Sequence, residues 1–151
     1  MNISKVLSVA GILAGSLLAL SAGSAQAQVA DDYAGISIQT DDSAFGVFGK
    51  TEVIELDSTF LDSISIRPNI SFDDDVALNV AVTTEKEVIR NLDVYAGPSI
   101  GYDSTGDDDD VNIGLALGAD YQIGRSDFVA NGNVIVGTND SSLRIGIAYG
   151  F

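Results

Sequence analysis

The sequence predicts an all-β fold: an eight-stranded antiparallel up-and-down transmembrane β-barrel preceded by a cleaved signal peptide. Three observations point there. Apolar residues recur at every second position in eight separate runs, the period of an extended strand. The runs are divided by Asp, Gly, Asn and Ser, the residues of turns. The smaller face of the runs is built of Gly and Ala, where a sheet facing water would carry mixed charge.

Residues 1–27 stand apart from this pattern. "MNISKVLSVAGILAGSLLALSAGSAQA" has Lys5 near its start, an apolar stretch from Val6 to Leu20, and Ala25-Gln26-Ala27 at its end, the small-x-small form of a secretory cleavage site. The apolar stretch is short and dotted with Gly and Ser, unlike a membrane anchor. Residues 28–151 are then one outer-membrane β-barrel domain folded outside the cytoplasm. Loss of Lys5, with no acid lost, takes the formal charge from −15 to −16. That acidity argues against nucleic acid as a partner. With no cysteine, the fold has no disulfides, no thiol chemistry and no lipidated N-terminal cysteine.

The runs follow in order. "YAGISIQT" from Tyr33 is weak, and "AFGVFGKTEVIEL" from Ala44 resists a single parity. In that second run Phe45, Val47, Thr51 and Val53 suit one face while Phe48, Ile54 and Leu56 suit the other, which predicts a bulge near Gly49. "FLDSISIRPNISF" sets Phe60, Ile64, Ile66, Ile70 and Phe72 against Ser63, Ser65, Arg67, Asn69 and Ser71. "VALNVAVT" sets Val76, Leu78, Val80 and Val82 against Ala77, Asn79, Ala81 and Thr83. "LDVYAGPSIGY" opposes Leu92, Val94, Ala96, Ile100 and Tyr102 to Asp93, Tyr95, Gly97, Ser99 and Gly101. "VNIGLALGADYQI" is the cleanest, with Val111, Ile113, Leu115, Leu117, Ala119, Tyr121 and Ile123 on one face. "FVANGNVIVGT" from Phe128 and the closing "SSLRIGIAYGF" complete the set. Pro68 and Pro98 each cost a ladder bond or mark a bulge, since proline has no N–H to give.

Which solvent meets the large apolar face decides between a membrane barrel and a soluble one. Charge avoids both faces and gathers at the connections, as hydrocarbon depth demands, and runs from Ala44 onward have about the 9–11 residues a tilted strand needs to cross a bilayer. With both termini on the periplasmic side, Phe60, Tyr121, Phe128, Tyr149 and Phe151 form one aromatic girdle and Phe45, Phe72 and Tyr102 the other. The same orientation puts Asp41, Asp42, Asp73 to Asp75, Asp103, Asp107 to Asp110 and Asp140 in outer loops, and Lys86, Arg90 and Arg125 in periplasmic turns.

The leader, the eight runs and the terminal "LRIGIAYGF" resemble the small eight-stranded outer-membrane barrels of Gram-negative bacteria, the OmpX and OmpA transmembrane-domain type, often grouped as porin-family proteins. The closing parity of Leu143, Ile145, Ile147, Tyr149 and Phe151 is similar to the signal read by the barrel-assembly machinery. The resemblance implies residence in the outer membrane, contact with its lipid and lipopolysaccharide, and periplasmic chaperones and the barrel-assembly machinery as partners in biogenesis. It also implies a monomer with an envelope structural or surface-interaction role. The outer loops here are shorter than is common in that family, and tryptophan is absent from the girdles.

Two constellations could carry chemistry. Asp103, Asp107, Asp108, Asp109 and Asp110 in "DSTGDDDD" could take a hard cation such as calcium, although their spacing is not that of an EF-hand. Loose cation bridging to lipopolysaccharide is a softer version of the same idea. Inside, pairing of Tyr102 with Val111 sets Asp93 opposite Asp120 in the lumen, with Tyr95, Arg67 and Arg144 also facing inward and Arg125 within reach from its turn. The plain reading is a lumen polar network that plugs the barrel; the functional alternative is a narrow porin-like channel for small ions or solutes. A secreted soluble β-barrel binding an apolar ligand is the alternative in fold. Absence of histidine and cysteine removes the commonest base and most nucleophile pairs, so no enzyme is expected. No zinc spacing or phosphate loop is present, and no cofactor is expected.

Overall fold

The computed structural model describes residues 29–41, 43–105, 108–138 and 141–151. The expected leader, 1–27, and Asp42, Asp107 and Asp140 lie outside the described residues. The elements are β1 (Tyr33–Gln39), β2 (Phe45–Glu55), β3 (Ser63–Phe72), β4 (Val76–Ile89), β5 (Leu92–Thr105), β6 (Asp108–Gln122), β7 (Phe128–Gly137) and β8 (Ser141–Gly150). Each strand pairs antiparallel with the next, and β8 returns to β1 through Tyr33↔Gly150 to Gln39↔Arg144, closing the barrel. Closure leaves no edge strand with unpaired backbone.

The alternation seen in sequence becomes an inside and an outside. Ile145 is 58% exposed while its neighbour Arg144 is 6% exposed, and most of the long runs divide in the same way, although Ile70 on β3 is covered. The large apolar parity forms the outer surface and the inner face is mainly polar, broken by Phe48, Val129 and Ile135, so a soluble barrel holding an apolar ligand is overturned. Phe128 and Tyr149 pack edge to face on that outer surface, their centroids 5.5 Å apart.

The second run resists a single parity for two reasons. Phe48 turns inward against Tyr33, with ring centroids 5.8 Å apart, so an apolar residue occupies the lumen parity. The bulge lies at Val53, not near Gly49: the β2–β3 register shifts between Glu52 and Ile54, which leaves Val53 and Ile54 both exposed. A second bulge at Val88 does the same for Val88 and Ile89 in β4. At Gly49 and Lys50 the ladder is interrupted without a shift, because they face Pro68 and Arg67. Pro98 has the same effect on β4, where Val82 and Thr83 are passed over. Each proline thus interrupts one ladder and leaves the register intact.

Charge does not avoid the inner face, contrary to the sequence reading. β4 runs on past Thr83 to Ile89, so Glu85, Lys86 and Glu87 belong to a strand, and Glu85 is buried in the lumen. The proximal end of the barrel carries the start of β1, the end of β8 and the turns after β2, β4 and β6. The distal end carries the other four turns, of which 73–75 is an acidic three-residue link closed by the Asp73 N–H donating to the Asp75 carbonyl at 3.0 Å. Arg90 and Asn91 make the tightest proximal turn, where Asn91 adopts a left-handed φ of 69° that asparagine tolerates.

Candidate functional site

The proximal half of the lumen holds a cluster of two cations and two carboxylates. Arg67 on β3 is its hub. Its Nη2 donates to Glu85 Oε1 at 2.5 Å and to Asp120 Oδ2 at 2.8 Å, its Nη1 to the Tyr33 hydroxyl at 2.6 Å, and its Nε to Thr83 Oγ1 at 3.0 Å. The guanidinium also lies over the Tyr95 ring, 3.4 Å from the centroid. Lys50 Nζ donates to Glu85 Oε2 at 2.9 Å. Tyr33 donates to Asp120 Oδ1 at 2.9 Å, and Asn131 Nδ2 reaches the same oxygen at 2.7 Å and the Tyr95 hydroxyl at 2.9 Å. Lys50 and Arg67 therefore balance Glu85 and Asp120. Buried ions are tolerable when they are paired and hydrogen-bonded, and each of these four has a partner of opposite charge within 2.9 Å.

The glycines of the inner face make room for these rings. A Cβ on Gly118 would lie 2.4 Å from Tyr95 Cζ and Oη, and one on Gly146 would lie 2.5 Å from Phe48 Cε1. The small lumen parity is thus the complement of a few large side chains reaching across. Val29 packs into the proximal mouth against Tyr33 and Val129, and the Ala30 N–H donates to Gln122 Oε1 at 3.2 Å.

The sequence-predicted lumen residues divide between two regions. Asp93 does pair with Asp120 in the β5–β6 register, as Tyr102 does with Val111. Arg67, Tyr95 and Asp120 join the cluster, whereas Asp93 stays at its edge with Oδ1 unpartnered. Asp93 lines a proximal cavity of 170 Å³ with Glu52, Glu87, Lys50 and Glu85. Arg144 sits apart in the distal half, and Arg125 is exposed at its turn and does not enter the lumen. Lys50, Glu85 and Tyr33 were not singled out by the sequence, yet Glu85 and Tyr33 bond the hub and Lys50 joins it through Glu85. Continuing the parity of Ala81 and Thr83 by one step would have found Glu85.

Distal to the cluster, a void of 20 Å³ lies between Arg67, Tyr95, Asn133 and Arg144. That is room for about one water molecule, so the lumen narrows here to a closed layer. Beyond it opens a distal vestibule of 510 Å³, rimmed by Asp73, Asp74, Asp75, Asp103 and Asp110 and lined lower down by Asn79, Asn112 and Arg144. Of the expected cation loop, Asp103 and Asp110 face this vestibule; Asp107 and the side chains of Asp108 and Asp109 lie outside the described residues. Among the described residues no three carboxylates come together as a metal-holding set. Leu143, Ile145, Ile147 and Tyr149 of the closing strand face outward, and Phe151 follows the strand half-buried.

These features define a closed eight-stranded barrel with a plugged polar lumen and an apolar outer wall, the fold of a transmembrane β-barrel. The chain is similar to a solved structure described as "De novo design of transmembrane beta-barrels", with a TM-score of 0.55 and 17% sequence identity over 83% of this chain and 98% of that one. No family model matches the sequence, and no curated protein does.

Proposed function

We propose that the protein is a non-enzymatic barrel of the bacterial outer membrane, of the OmpX and OmpA transmembrane-domain type, with an envelope structural or surface-interaction role. The observation that carries this reading is the outer wall: Ile36, Ile38, Ile100, Ile113, Leu115, Leu117, Ile145 and Ile147 are all exposed along β1, β5, β6 and β8. An apolar belt on that scale is untenable in water and is what hydrocarbon requires. Lipid and lipopolysaccharide cover this belt, the barrel is a monomer, and the barrel-assembly machinery with periplasmic chaperones delivers it. The proximal end faces the periplasm and the acidic distal end the outside. The layer at Arg67 and Tyr95 argues against a resting channel, since it leaves a void of only 20 Å³ between the two mouths.

Fractionation of a Gram-negative host expressing the full-length chain tests this directly, with gel mobility compared before and after boiling. Outer-membrane recovery with a heat-dependent shift is expected, and recovery as soluble protein with no shift would overturn it. Leu115→Arg places a charge in the middle of the belt and is expected to cost about 2–4 kcal/mol of barrel stability, read by urea unfolding of the folded barrel in micelles.

A further inference from the structure

The distal vestibule holds a charge that nothing in the described protein answers. Arg144 is 6% exposed, and its guanidinium makes no hydrogen bond or ion pair among the described residues; its Nε is buried without a partner. It forms part of the vestibule wall beneath five carboxylates of the rim. An unpaired buried cation is costly, so this side chain calls for an anionic partner that the described residues do not provide. A simple anion, however, must pass Asp73, Asp74, Asp75, Asp103 and Asp110, whose field repels it. A simple cation would satisfy the rim and leave Arg144 as it is. Only a molecule carrying both charges meets both ends of the site.

We propose that the distal vestibule is a binding site for a small soluble zwitterion, its carboxylate or phosphate held by Arg144 and its ammonium group by the acidic rim. Guanidinium suits the inner role because its planar fork grips carboxylate and phosphate in a bidentate manner. The 510 Å³ of the vestibule lies within the range of about 300–1,000 Å³ usual for small-molecule sites. The small void beneath the vestibule, which Arg144 also lines, is bordered by Asn69 and Asn133, and Asn69 Oδ1, Asn69 Nδ2 and Asn133 Oδ1 likewise lack partners. A phosphate-bearing zwitterion could be free in solution or be the headgroup of a lipid. The vestibule lies inside the barrel wall, and the inward-facing residues that line it are reached only over the rim, which favours the free form.

The test is isothermal titration calorimetry of the full-length chain folded in a nonionic detergent, with phosphoethanolamine as the probe. Inorganic phosphate, ethanolamine and a short-chain phosphatidylethanolamine are titrated alongside. Saturable binding of phosphoethanolamine is expected, with phosphate alone and ethanolamine alone each weaker by at least about tenfold. Arg144→Met should weaken phosphoethanolamine by a similar factor, while Asp75→Asn should weaken it less and improve binding of phosphate. The heat-dependent mobility shift shows independently that each variant is folded, and Arg144→Lys, which keeps the charge and loses the fork, replaces Arg144→Met if that variant does not fold. No binding by phosphoethanolamine, binding unchanged in the Arg144 variant, or equal affinity for inorganic phosphate would overturn the proposal. Binding of the lipid alone would overturn the assignment to a soluble ligand.

Discussion

The proximal and distal halves of the lumen are built from the same strands and similar residue types, yet they solve the problem of buried charge in opposite ways. In the proximal half Arg67 has two carboxylates, a hydroxyl pair and an aromatic face, and Lys50 completes the balance. In the distal half Arg144 has none of these among the described residues and borders an open space instead. One arginine is structural and self-sufficient; the other has no anionic partner among the described residues. The difference lies in the cross-lumen neighbours. β4 and β6 present Glu85 and Asp120 at the level of Arg67, whereas at the level of Arg144 β4 and β6 present Asn79 and Asn112 to the vestibule.

The sharpest way to break this comparison is to make the same substitution in both halves. Arg67→Met strands Glu85 and Asp120 without their shared cation and is expected to destabilise the barrel by about 3–5 kcal/mol. Arg144→Met removes a buried charge that no described carboxylate depends on, and its expected effect is between neutral and stabilising. Urea unfolding in micelles, followed by intrinsic tyrosine fluorescence, reads both. Equal losses in the two variants would mean that the halves are not different in kind.

Packing gives a second, smaller contrast. Gly118→Ala puts a methyl against the Tyr95 ring at 2.4 Å, where the phenol is fixed by Asn131 and Asn133 and by the Arg67 guanidinium stacked on it. Overpacking of that kind is expected to cost about 1–3 kcal/mol. Gly101→Ala in the distal half meets Asn79 Nδ2 at 3.2 Å, the far end of a flexible side chain, and is expected to stay within about 0.5 kcal/mol of wild type. The same unfolding assay checks the pair, and a large effect at Gly101 would show that the vestibule is more tightly packed than its volume implies.

Much of this division was legible in the sequence, and its gaps have physical causes. The Asp93–Asp120 pairing is legible because β5 and β6 alternate without interruption and a short acidic loop joins them, so the one pair Tyr102–Val111 fixes every pair behind it. Lys50 escaped notice because Phe48 breaks the parity of its run by turning inward, which disguises the lumen face as an apolar one. Lys86 reads as a turn residue, and Glu85 falls outside the run "VALNVAVT", because three charges in four residues look like a connection, although Glu85 and Glu87 keep the inward parity and Lys86 faces outward to meet Asp62. What no run contains is the closure of the barrel. Tyr33 and Asp120 are far apart in sequence and meet only because β8 returns to β1. Local alternation says which way a side chain points, and the identity of what it meets across the lumen is a property of the whole ring.

The smallest expected effect sits outside the lumen, at the proximal turn before β3. Asp62 accepts from Lys86 Nζ at 2.9 Å and from the Glu87 N–H at 2.6 Å. The hydrogen bond from Lys86 is the main cause, and that from the Glu87 backbone the second, holding its carboxyl below the usual carboxylate range. Because the folded value is depressed, the carboxylate stabilises the fold at every pH above the unfolded value of about 3.9. That contribution fades as pH falls through the lower folded value. The pair is more than a third exposed, so solvent screening keeps it within the range of about 0.2–1 kcal/mol found for surface ion pairs. Asp62→Asn should therefore lower the urea midpoint slightly at pH 6 and match wild type once the pH lies below the folded value, with the gap at pH 6 narrowing in high salt. A gap that persisted at low pH would assign the effect to the turn backbone and not to the charge. Unlike Arg67, whose partners are buried with it, Asp62 draws its stabilisation from a contact that water and salt can reach.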